Sequence, residues 1–141
     1  MVFQVIQVMA GWPEYIIEQF STMTPQDEFE EPEYYGPYNS LLFNQFPPHE
    51  HFMIVPQYKR QYPEDIDFTT IFIVQYQKHP IFFIEIKPAS HIKTNRPAAD
   101  KEMREQFDAL TDDLAIPTLY GISALGTCLC VYTFDKKTRA L

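Results

Sequence analysis

Within Phe82-Phe83-Ile84-Glu85-Ile86-Lys87, a carboxylate and an ammonium stand two positions apart in an otherwise apolar run. Side chains alternate across a β-strand, so a strand here would aim Glu85 and Lys87 at one face. Charged residues enter a core strand only when they are paired or bind something. A second strand-like run, Asp67-Phe68-Thr69-Thr70-Ile71-Phe72-Ile73-Val74, comes earlier and opens on an acid. A hairpin of the two would bring Asp67 near Glu85 and Lys87. Two carboxylates and a lysine on adjacent strands can hold a hard divalent cation and activate a water. The competing reading is a buried ion-pair cluster with a structural role.

The acid-x-Lys triplet alone says little, because roughly one is expected by chance in a chain this long at average composition. Asp135-Lys136-Lys137 is a second copy, set among charges near the end of the sequence. The Glu85 copy is distinguished by its apolar surroundings and by Asp67 upstream. Other groups are weaker. His49-Glu50-His51 lacks the partner ligands of a zinc motif and reads as a surface turn. Cys128 and Cys130 lie i, i+2, a spacing that suits two thiols on one strand face and not a disulfide or a Cys-x-x-Cys centre. Tyr34, Tyr35 and Tyr38 could stack bases, but packing at a helix start accounts for them. No phosphate-cradling glycine loop and no Ser/His/Asp pattern stands out.

The elements that must position this site follow from periodicity. Trp12, Ile16, Ile17 and Phe20 form an apolar stripe over 12–22, with Pro13 suited to a first helical turn and Glu14 to its positive end. A second helix starts at Gly36-Pro37, carries Tyr38, Leu41, Leu42 and Phe46 on one side, and stops at Pro47-Pro48. His51–Tyr58 is strand-like, Gln61–Glu64 is a turn, and Asp67–Gln75 with Pro80–Lys87 forms a hairpin. Asn95-Arg96-Pro97 opens a third helix, in which Ala99, Met103, Phe107, Leu110 and Leu114 recur at helical spacing. Strands at Thr118–Ser123 and Thr127–Phe134 flank a turn around Leu125-Gly126. The order α-α-β-β-β-α-β-β predicts a mixed sheet flanked by helices.

Composition sets the outer bounds. The chain has 141 residues, 45% of them apolar and 16% aromatic, enough for one domain with a core that needs no disulfides. No apolar run reaches the roughly 20 residues of a membrane span. Met1–Ala10 is apolar but holds two glutamines and no basic residue, which argues against a secretion signal and for an intracellular protein. The net charge of −8 belongs to the first fifty residues, which contain no Lys or Arg. The run Asp27-Glu28-Phe29-Glu30-Glu31-Pro32-Glu33 reads as a solvated connector, or else as a segment that repels or mimics nucleic acid. The basic stripe of a nonspecific nucleic-acid binder is absent.

Over roughly Glu33 to Tyr132 the chain resembles the PD-(D/E)XK nuclease superfamily. It looks closest to small fungal members with a similar Tyr-Tyr-Gly-Pro-Tyr-Asn stretch and a similar Phe-Phe-Ile-Glu-Ile-Lys-Pro strand. The resemblance implies an α/β (α+β mixed-sheet) fold with a restriction-endonuclease-like α-β-β-β-α-β core, an extra N-terminal helix and a C-terminal strand pair. It implies a single nuclease-like domain over 1–141, with 1–32 an acidic extension and 33–134 the core. It implies Asp67 and Glu85 as ligands of Mg²⁺ or Mn²⁺, Lys87 as the residue that orients the attacking water, and DNA as substrate. An acid on the first core helix often completes such sites, and Glu33 fits that role. The Pro-Asp pair of the family is not literal here: Pro63 is followed by Glu64 and Asp65, and Ile66 precedes Asp67. Asp65 or Asp67 could be the ligand, with Asp67 preferred because it abuts the apolar strand. The helix after the third strand often supplies a Gln or a basic residue. Gln106 is the candidate there, with a plain interfacial glutamine as the alternative. The alternative expectation for the whole chain is a catalytically silent nuclease-fold module that binds a protein partner or a second copy of itself.

Overall fold

A computed structural model describes residues 2–5, 11–23, 30–60, 68–91 and 96–141. The fold is a six-stranded mixed sheet with helices on both faces. Its elements are β1 (Val2–Val5), α1 (Glu14–Ser21), α2 (Tyr35–Gln45), β2 (Phe52–Arg60), β3 (Phe68–Tyr76), β4 (His79–Lys87), α3 (Arg96–Leu110), β5 (Thr118–Leu125) and β6 (Cys128–Asp135). Across the sheet the strands run β1-β6-β5-β4-β3-β2. Every neighbouring pair is antiparallel except β4 and β5, which are parallel. A parallel pair cannot be joined by a tight turn. The connection from β4 to β5 therefore carries α3, which returns across one face of the sheet.

β4 lies at the centre with β3 beside it, and their apolar side chains are buried on both faces, which is why they read as near-continuous apolar runs. Period-two alternation divides their side chains between two cores. Phe72, Val74, Ile84 and Ile86 meet Ile16, Phe20, Tyr38, Leu41 and Leu42 of α1 and α2. Ile71, Ile73 and Phe83 meet Met103 and Phe107 of α3, together with Leu119 and Phe134. Phe107 is the pivot of the second core. Its ring stands edge-on to Phe83, centroids 4.9 Å apart, and stacks on Phe134 at 5.4 Å.

The strand ends next to Glu85 and Lys87 are fastened by one turn. Gly126 and Thr127 join β5 to β6 as a two-residue hairpin loop in which Gly126 has φ +63°, a left-handed value natural to glycine. The Gly126 N–H donates to the Lys87 carbonyl at 2.8 Å. The Gly126 carbonyl accepts from the buried Tyr38 hydroxyl at 2.5 Å. The end of β4, the β5–β6 hairpin and α2 thus meet at one residue, Gly126.

The structure departs from the sequence expectations at four places. β1 was not anticipated and makes the sheet six strands instead of five; it pairs with β6 from Val2↔Val131 to Val5↔Cys128. The second helical segment begins earlier than Gly36, because Glu31–Tyr34 forms a 3-10 turn that runs directly into α2. Glu30 and Glu33 cap that turn reciprocally and Pro32 occupies its start. α3 ends at Leu110, not beyond. Thr111 bonds its hydroxyl to the Phe107 carbonyl at 2.7 Å, and Asp112 and Asp113 oppose the negative end of the helix. Leu114 is therefore extended, though it still reaches the α3 core. Finally, β2 extends to Arg60, past the expected end at Tyr58. The expected turn at 61–64 and residues 27–29 of the acidic run lie outside the described residues. Among the described residues, no helix is long and apolar enough to cross a membrane.

Candidate functional site

Glu85 and Lys87 occupy the α3 face of β4, on the same side as Phe83, toward the end of the strand. Both are almost sealed: Glu85 is 1% exposed and Lys87 2%. The Lys87 ammonium meets the Glu102 carboxylate of α3 at 2.7 Å, with the Glu102 side chain 15% exposed. α3 can reach down because Ala99, Met103, Gln106 and Phe107 form its buried stripe at helical spacing. Glu102 stands beside that stripe, one turn before Gln106.

The sheet ladder adds polar neighbours. Glu85 pairs in register with Ile71 on β3 and with Ser123 on β5, and Ser123 pairs in turn with Cys130 on β6. Ser123 is 2% exposed, and its hydroxyl has no hydrogen-bond partner among the described residues. One step along β6, the Tyr132 hydroxyl donates to the Asp100 carboxylate and ties α3 to the sheet. Burial raises the Tyr132 phenol well above its ordinary value, and hydrogen bonds to Asp100 and Cys130 act in the same direction. Cys128 and Cys130 are free thiols. Burial also pushes the Cys128 thiol up, which keeps it protonated and unreactive.

The residues singled out from sequence are distributed as follows. Glu85 and Lys87 are neighbours on one face. Gln106, 6% exposed, lies on the buried side of α3 above the same face. Asp65 and Asp67 lie outside the described residues. Glu33 belongs to the α1–α2 layer, and its carboxylate accepts the Glu30 N–H at 2.7 Å as part of the helix cap. It also borders an open cleft of about 260 Å³ with Gln19, Thr22, Met23 and Pro37. The His49-Glu50-His51 group is an exposed turn, as expected.

Two residues of this neighbourhood were not anticipated. Glu102 could have been noticed as an acid four residues before Gln106 on the helix that covers β4. Ser123 alternates with Leu119 and Gly121, which marks it as a polar residue at an inward position of β5. A Mg²⁺ or Mn²⁺ ion is usually held by one or two carboxylates and several waters. The buried Glu85 carboxylate is a chemically suitable donor for such an ion. Among the described residues there is no cluster of three or more His, Cys, Asp or Glu that could hold a metal. Compared with known proteins, the chain matches no family model, no curated protein and no solved structure.

Proposed function

We propose that the chain is a PD-(D/E)XK-type nuclease domain that hydrolyses phosphodiester bonds in DNA with Mg²⁺ or Mn²⁺. The observation that carries this reading is the side-by-side burial of Glu85 and Lys87 at the end of β4, next to the parallel strand β5. The ends of strands beside a parallel crossover are where open α/β sheets form sites. Glu85 would hold the cation with Asp67. When bound, the ion would lower the pKa of a coordinated water and stabilise charge on the phosphate. Lys87 would orient that water and place a positive charge beside the developing oxyanion. The 2.7 Å pair with Glu102 fixes the ammonium, which preorganises it for that task.

The same pair supports a second reading. With Glu85 and Lys87 at 1% and 2% exposure, the cluster can also be a sealed ion-pair core in a catalytically silent module. Such a module would bind a protein partner or a second copy through another surface. Cleavage of supercoiled plasmid and single-stranded DNA, with Mn²⁺ and with chelator, separates the two. The nuclease reading expects metal-dependent cleavage that Glu85→Gln and Lys87→Ala abolish. Absence of cleavage by the parent, or equal cleavage by parent and variants, would reject it.

A further inference from the structure

The Ser123 hydroxyl, buried and without a hydrogen-bond partner among the described residues, is the feature that the Glu85–Lys87 reading leaves unused. A buried hydroxyl without a partner has lost its bonds to water and gained none in return. Native structures rarely carry that loss and usually meet it with an ordered water. Ser123 and Glu85 are register partners on parallel strands and face the same side. Adjacent strands lie about 4.8 Å apart. That spacing lets one water oxygen bond a hydroxyl and a carboxylate at the same time. The surroundings on the other side are closed: the next inward position of β5 is Gly121, roofed by the rings of Phe83 and Phe107.

We propose that Ser123 Oγ and the Glu85 carboxylate hold a single water oxygen between them, with Ser123 as a positioning residue. In metal-free protein this oxygen is a buried structural water. If the nuclease reading holds, the same oxygen becomes a water bound to the cation at Glu85. The water site stands without that reading, because the hydroxyl needs a partner whether or not a cation binds.

The test is a high-resolution crystal structure of the metal-free protein and of the protein with Mn²⁺. The metal-free crystal should show a solvent peak within hydrogen-bond distance, about 2.7–3.2 Å, of both Ser123 Oγ and a Glu85 oxygen. Ser123→Ala should lose or displace that peak. If Ser123→Ala fails to fold, the near-isosteric Ser123→Cys, a weak donor, should show the same loss. A direct Ser123–Glu85 hydrogen bond with no solvent peak would overturn the proposal, as would a peak that survives both substitutions unmoved. In the Mn²⁺ crystal, anomalous signal distinguishes cation from water. An anomalous peak at Glu85 with the Ser123-bound oxygen beside it assigns that oxygen to the cation. Retention of the water without anomalous signal keeps the Ser123 site and counts against the metal reading alone.

Discussion

At the scale of single residues, the site depends on contacts that tolerate little change. Lys87 is held in the interior by a 2.7 Å pair, so Glu102 stabilises a charge that would otherwise favour water. Glu102→Ala should destabilise the fold by about 1.5–3 kcal/mol, the worth of a hydrogen bond to a charged group. Urea denaturation of the variant reads this directly, and an unchanged midpoint would mean that the pair is not formed in solution. Gly121 is a second tight position. A Cβ there would lie 2.6 Å from Phe83 Cζ and 2.9 Å from Phe107 Cζ. Neither ring can swing away freely, because Phe83 abuts Phe107 and Phe107 stacks on Phe134. Gly121→Ala should therefore cost about 1–3 kcal/mol through overpacking. At this scale the sequence was legible for Glu85 and Lys87, whose charges contradict their apolar surroundings. Ser123 and Glu102 carried only weak signals, a polar residue at an inward strand position and an acid beside a helix stripe, which gain meaning once the crossover lays α3 over β4 and β5.

At the scale of elements, two tyrosines pin helices to the sheet. Tyr38 fixes α2 to the β5–β6 hairpin and Tyr132 fixes α3 to β6. Burial raises both phenols above the ordinary value of 10.0. Their neutral forms are thus favoured by the fold. Their contribution is complete below about pH 10 and is lost as pH rises from there through the folded values, because the unfolded chain ionises first. Stability measured by denaturant between pH 9 and 12 should fall along this limb, and Tyr132→Phe should make the fall shallower. A variant with the parent's alkaline slope would show that Tyr132 does not contribute to it. The packing of α3 is tested by Phe107→Ala, which should destabilise by about 3–5 kcal/mol. An unaltered midpoint would contradict the placement of this helix face. The β3–β4 hairpin, α1 and α3 were readable because each carries a period set by burial on one or both sides. β1 was not, because four residues are too short to show a period and its pairing partner is at the far end of the sequence. The turn before α2 was hidden by its own charges: Glu30 and Glu33 resemble a solvated run, yet they cap a helix start.

At the scale of the molecule, the arrangement is a sheet with two cores, and the site lies in the one beneath α3. The mixed α/β class followed from the order of elements, whereas the strand order and the parallel β4–β5 pair emerged only in the folded chain. The charge distribution was legible as well, with all eleven Lys and Arg after residue 50. The use of the site was not, since one buried Glu–Lys pair serves a hydrolase and a structural core equally well. What separates these is whether the protein binds a divalent cation through Glu85. A ligand that binds only the folded state raises its stability, by about 2.7 kcal/mol at a hundredfold excess over its dissociation constant. The decisive measurement is the melting temperature of metal-free protein with and without millimolar Mn²⁺, for the parent and for Glu85→Gln. The nuclease account predicts a clear rise for the parent and none for the variant. No rise in the parent, or the same rise in both, would contradict it.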